Sequence, residues 1–265
     1  MFWILVPIGW VVGTLINLCA DSLPISRRLG VPTCPNCHTP RPKAAWSGLL
    51  AFLLGHRRCS ECSAPLPVRH LLVELLTPAV FVFCGLRTGA TIPTLFNVMY
   101  CSILILITVT DLEHRLILHI VSLPAISLAI VGAFANPVFD RPTRALLGGG
   151  IGLLGALMLY ALGLLFSWWL SKARGEPLPG PAFGFGDVTL STFLGLIVGA
   201  PDIIFVFVIG IFAGFVGAMG YLLIRGLIQR QHQMFTAFLP YGPFLIFGGT
   251  FMLFYGREFM TWYIG

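Results

Sequence analysis

Charge is what this sequence has least of. Only 10% of its 265 residues are Asp, Glu, Lys or Arg, where a soluble domain carries about 25%. That shortage excludes an ordinary soluble fold, since 57% of the chain is hydrophobic and 22 residues are Phe. Backbone immersed in lipid has to satisfy its own hydrogen bonds, so the composition points to an all-α polytopic membrane protein. No basic region precedes the first apolar run and no small-residue cleavage site follows it, so that run is expected to persist as a helix. The INLCAD sequence around Cys19 lacks the small residues that precede a lipid-modified cysteine, and Cys19 reads as a packing residue. The net charge of +6 signals no nucleic acid, because the basic residues lie in loops beside apolar runs.

Breaks at Pro, Gly and charged residues divide the apolar sequence into eight expected spans. They fall near 2–19, 70–86, 92–110, 116–135, 145–169, 188–200, 203–225 and 239–256. This gives a first helix over 1–20, one polar domain over 21–69, and a seven-helix membrane core over 70–265. Lys and Arg set the orientation. With the N-terminus outside, 12 of the 16 basic residues fall in cytoplasmic segments, and only Arg87, Arg141, Arg144 and Arg257 fall outside.

That topology brings two carboxylates to the cytoplasmic side. Asp111 ends the third span in ITVTDLEHRLIL, and Asp187 opens the sixth in FGFGDVTL. An ionisable group at the edge of lipid is costly and by default functional, although Asp187 could also cap the helix that follows it. From Asp187 to Asp202 is 15 steps, about 22 Å of helix. Against a core of about 30 Å, Asp187 is expected slightly inside the cytoplasmic boundary. Gly184 and Gly186 remove side chains around it, which permits close approach of a substrate backbone. The upstream ARGEPLPGPAFGFG, with four Gly and three Pro, reads as an irregular loop able to gate access. A lone GxGD leaves the cap and catalytic readings open; a second aspartate at the matching face favours catalysis. Paired carboxylates do not both ionise readily, so one keeps a proton to donate while the other accepts one from water.

The polar domain holds CPNC, 21 further residues, and CSEC. Cys34, Cys37, Cys59 and Cys62 form two CxxC knuckles, the sulfur set that structural zinc prefers. In a reducing cytosol disulfides are a poor alternative. His38 and His56 read as surface residues beside a complete shell, and Cys84 and Cys101 as core packing. Between the knuckles, WSGLLAFLLG is too short to span; it lies along the membrane surface or forms the small domain's core. Glu74, about one turn into the second span, is either paired, with Arg69 or His70, or supports the site.

In this order GTLINLCADSLP, the paired CxxC loop, RHLLVELLTPAVF, TDLEHRLI, FGFGD and FLPYGPFLIFGG resemble the type IV prepilin peptidases, GxGD aspartyl proteases of bacterial inner membranes. The resemblance covers nearly the whole chain. It implies Asp111 and Asp187 as the catalytic pair, zinc on the four cysteines, and removal of a short basic leader from prepilins or pseudopilins at the cytoplasmic membrane face. It also implies methylation of the new N-terminus with S-adenosylmethionine, although no glycine-rich fingerprint for that donor is present. Two positions depart from the family pattern. Thr189 stands where a Lys is usual, and Leu118-His119 replaces Pro followed by Asn or Asp. Arg115, four residues beyond Asp111, could supply the missing cation. Two other classes compete: a proton- or cation-coupled transporter, without visible inverted repeats, and a catalytically silent assembly scaffold.

Overall fold

The computed structural model describes residues 2–34, 36–42, 45–89, 91–139, 141–174, 184–229 and 240–265. Helix dominates them: α1 (Leu5–Ser26), α2 (Gly48–Leu53), α3 (Val68–Thr88), α4 (Ile92–His114), α5 (His119–Ala135), α6 (Pro142–Arg174), α7 (Phe185–Val198), α8 (Ile203–Gln229) and α9 (Gly242–Ile264). Among the described residues there is no strand, only two isolated bridges in the cysteine-bearing segment. By length and composition α1, α3, α4, α6 and α8 can each cross a membrane, while α5 and α7 are apolar but shorter. The all-α membrane class follows. Each expected span coincides with a helix, and five of them have the length and apolarity to cross.

The ends of the helices follow local chemistry. Arg27 and Arg115 adopt left-handed backbone, φ 54° each, and close α1 and α4 by donating to Leu23 O and Asp111 O. Pro93 opens α4 within its first two positions, where a missing N–H costs nothing. Gly199, at φ 85°, ends α7. Asp187 therefore lies within the first turn of α7, which has 14 residues rather than extending to Asp202. The helical rise beyond Asp187 is about 16 Å, not 22 Å. The glycine- and proline-rich loop expected to gate the site lies, over 175–183, outside the described residues.

The chain forms two compact units, Met1–Leu118 and His119–Gly265. In the first, α1 and α3 run antiparallel at close range. A Cβ on Gly9 would come within 2.6 Å of Pro78 Cα, and one on Gly13 within 3.1 Å of Glu74 Cα. Small residues there let the backbones meet, as membrane helices require when no water drives them together. Ile16, Ala20, Val73 and Val109 form a core cluster that brings in α4.

In the second unit α7 is the buried centre, with α5, α6 and α9 packed on it. From Val188 to Val198 every residue but Thr192 is buried, which explains a short run that is apolar all round. Gly148 and Gly152 of α6 meet Gly195 and Ser191 of α7. A Cβ on Gly148 would stand 2.3 Å from Gly195 O, and one on Gly152 equally near Ser191 O.

Candidate functional site: a four-cysteine centre and two carboxylates

The two cysteine knuckles are copies of one design. Cys34 N–H donates to Thr39 O and Cys59 N–H to Ala64 O, both at 2.9 Å. His38 N–H returns to Cys34 O, and Ser63 N–H to Cys59 O. His38 and Ser63 share the same left-handed turn, φ 57° and 56°. The antiparallel bridges Thr33–Pro40 and Arg58–Pro65 repeat as well. This duplication is written in the sequence as CPNCHTPRP and CSECSAPLP, a signal that spacing alone had not exposed.

The four sulfurs lie within 4.8 Å of one another, with Cys34–Cys62 at 3.6 Å and Cys37–Cys59 at 3.5 Å. Zn–S bonds of about 2.3 Å in a tetrahedron place sulfurs roughly 3.8 Å apart, so the set fits zinc and is too open for disulfides. The first cysteine of each knuckle accepts backbone amides two and three residues on. Those of Cys62 and Glu61 bring Cys59 down to about 6, and those of Cys37 and Asn36 lower Cys34. The Ala64 amide pulls Cys62 the same way, but desolvation and the Cys34 and Cys37 sulfurs outweigh it and raise Cys62 to about 11. A backbone that already favours thiolate is prepared for a cation.

Glu74 is buried, and neither Arg69 nor His70 is its partner. Its carboxylate accepts from Trp10 Nε1 (3.2 Å), Asn17 Nδ2 (3.4 Å), Ser47 Oγ (2.5 Å), Gly48 N–H (2.7 Å) and Leu49 N–H (2.9 Å). Two helices and the start of α2 thus converge on one charge. Arg69 instead pairs with Asp21 and, at 2.9 Å, with Glu113, while His70 Nε2 stands 3.3 Å from Asp21. This ionic layer ties the end of α1, the start of α3 and the end of α4.

Asp111 is buried, in the last turn of α4. Arg115 is exposed, and its backbone caps that turn. Asp111 belongs to the first unit and Asp187 to the second, and each is placed here within its own unit. Asp187 accepts from Gly184 N–H at 2.9 Å, and its own N–H donates to Gly184 O at 3.1 Å. It does stabilise the start of α7, from inside the helix rather than before it. Gly184 has φ −89°, so its backbone does not demand glycine. A Cβ there would reach Asp187 Oδ2 at an ordinary 3.5 Å. Thr189 turns its hydroxyl back to Gly186 O at 2.8 Å and brings no charge. His119 and Tyr160 meet Phe185 edge-on, two residues before Asp187. Tyr241 lies within electrostatic reach of Asp187. The FLPYGPF motif had drawn attention to this segment without identifying the tyrosine as a site neighbour.

An all-α membrane protein with carboxylates at helix ends and a four-thiolate centre defines the class. Residues 98–219 match the model of the type IV leader peptidase family, and residues 8–88 match the bacterial N-terminal domain of the same peptidase group. A prepilin leader peptidase/N-methyltransferase of Burkholderia pseudomallei is 30% identical over 91% of this chain and 73% of its own length. One of Legionella pneumophila is 29% identical over 88% and 75%. One of Bacillus subtilis is 23% identical over 100% and 98%. The chain belongs to the type IV leader peptidase family. No solved structure matches it.

Proposed function

We propose that this chain is an aspartyl endopeptidase that removes the short basic leader of type IV prepilins or pseudopilins at the cytoplasmic face of a bacterial inner membrane. Family membership supports the reaction, and one observation supports the residues. Asp111 and Asp187 each occupy the terminal turn of an apolar helix, where a carboxylate is costly unless it has work to do.

The chemistry follows from the pair. One carboxylate, ionised, takes a proton from water, and the resulting oxygen adds to the scissile carbonyl carbon. The other, protonated, donates to the carbonyl oxygen. As the tetrahedral intermediate collapses, the C–N bond breaks and the leaving amine takes the proton that the first carboxylate had received from water. A hydroxyl of the intermediate returns its proton to the second carboxylate, so the pair again holds one proton. Gly184 and Gly186 keep Asp187 approachable, and Arg115 provides a cation beside the last turn of α4. The eight spans, the outside N-terminus and the separate domain of residues 21–69 belong to the same reading. Glu74 supports the site at a distance by fixing α1, α2 and α3.

Cys34, Cys37, Cys59 and Cys62 would hold zinc, a closed sulfur shell that supplies fold stability and offers no open position to substrate. Methylation of the new N-terminus with S-adenosylmethionine is proposed from the names of the relatives. The described residues contain no strand–helix–strand unit of the usual nucleotide-binding kind, so no step is assigned to that donor. The transporter and silent-scaffold readings are not favoured.

The test is incubation of the purified protein with a prepilin whose leader ends in Gly followed by Phe. Asp111→Asn and Asp187→Asn should each abolish leader removal while zinc content and elution volume stay unchanged. Cleavage surviving either substitution would remove that aspartate from the mechanism. Mass spectrometry of the mature N-terminus decides methylation.

A further inference from the structure

The segment between the cysteine knuckles is placed too deep for a cytosolic loop. Gly48, which opens α2, packs on α3 so closely that a Cβ would lie 2.7 Å from His70 Cβ. Asn17 of α1 reaches the same turn of α3, donating to His70 O at 3.0 Å. Asn17 precedes Asp21 by one helical turn, about 6 Å, and Asp21 marks the ionic layer through Arg69. The start of α2 therefore lies about one turn to the apolar side of that layer. Free amides at such a depth have no water to bond to, which accounts for a buried glutamate accepting Gly48 and Leu49 N–H there.

The other side of α2 is apolar and, among the described residues, open apart from Arg57 on Phe52. Phe52, Leu53 and Leu54 are exposed, Leu53 by 69%, as are Leu72, Leu75 and Leu76 on adjoining α3. The flank is cationic. Arg57 stacks its guanidinium on Phe52 at 3.6 Å from the ring centre. Arg41, His56 and Arg58 line a cavity of about 70 Å³, and Arg41 Nη1 is buried without a hydrogen-bond partner among the described residues. Between Cys34 and Pro67 the sequence has Arg41, Lys43, Arg57 and Arg58 against Glu61 alone.

From this depth, apolar face and charge we infer that α2 is an interfacial lipid-binding helix. Its Phe52–Leu54 edge rests among acyl chains, and the Arg41–Arg58 cavity takes the phosphate of an anionic phospholipid. Shallow insertion with basic residues toward anionic headgroups is the recognised physics of such helices. The two knuckles then act as a staple that closes the loop carrying α2. Which leaflet is involved depends on the orientation proposed above; the lipid contact does not, nor does it depend on proteolysis.

The test uses full-length protein carrying p-benzoylphenylalanine at Leu53, with Leu72 as reference, in nanodiscs of phosphatidylcholine with and without phosphatidylglycerol. Irradiation should give phospholipid adducts at both positions. In mixed discs phosphatidylglycerol should be over-represented at Leu53, and Arg41→Gln with Arg58→Gln should lower that enrichment about fivefold per charge removed. Added sodium chloride should weaken the enrichment in the unmutated protein, which keeps the inference testable should the double variant lose its zinc. Adducts at Leu72 but none at Leu53 would overturn the helix assignment. Adducts at Leu53 without enrichment would overturn the anionic site. Enrichment abolished by inorganic phosphate at constant ionic strength would reassign the cavity to a soluble phosphate.

Discussion

Glu74 shows how much of this protein depends on single polar side chains. A carboxylate one turn into an apolar helix is conspicuous in sequence, yet its partners are not, because they come from residues 25 to 64 positions away. The nearby Arg69 and His70 are engaged by Asp21 and Glu113 instead. Replacing Glu74 by Gln keeps the shape but points an amide N–H₂ at donors. The expected cost is about 3 kcal/mol, the scale of a broken buried charge network, seen as a lower thermal midpoint in detergent and faster amide exchange at Gly48 and Leu49. Gly184→Ala separates structure from reaction in the opposite sense. Its backbone tolerates a side chain and the added methyl clashes with nothing among the described residues, so stability should hold while KM for prepilin rises. An unchanged KM would show that the open space beside Asp187 is not used by substrate.

At the scale of elements, the apolar runs could be read directly from sequence because lipid allows only self-satisfied helices. What could not be read was why α7 is short. That follows from its burial at the centre of its unit and from the backbone contact with α6, which depends on glycines forty residues away. The triplet 148–150 provides an internal control. Gly148→Ala drives a methyl into Gly195 O and should cost about 3 kcal/mol. Gly150→Ala meets nothing within 4 Å and should be neutral or stabilising by up to about 1 kcal/mol through helix propensity. Equal thermal shifts for the two would contradict the packing of α6 on α7. The knuckles were legible as a metal site from spacing, but their proton chemistry was not. Zinc requires thiolates, so its hold weakens as protons compete. With Cys59 held down to about 6, below its ordinary value, its thiolate persists until the pH falls through that value. Zinc release to a chromogenic chelator should therefore rise as the pH falls and protons compete for the four sulfurs, and release that did not change with pH would count against thiolate ligation.

For the whole molecule, orientation is the property that sequence argues most strongly and on which the chemistry most depends. The distribution of basic residues, 12 against 4, is a statement about insertion. Within the first unit, geometry adds an independent constraint. Asp21, Arg69 and Glu113 meet, so the end of α1, the start of α3 and the end of α4 share one side of the membrane whichever leaflet it is. Asp111, two residues before Glu113, lies near that side. Reporter fusions can therefore decide more than topology. Green fluorescent protein inserted between the knuckles and α3 should fluoresce, and alkaline phosphatase joined after Arg141 should be active. The two reporters exchanged between those positions should both be silent. The opposite pattern would place the four thiols and the last turn of α4 in an oxidising compartment. Neither reduced zinc ligands nor cleavage of a cytoplasmic leader could then be sustained, so one measurement of sidedness tests the metal site and the protease together.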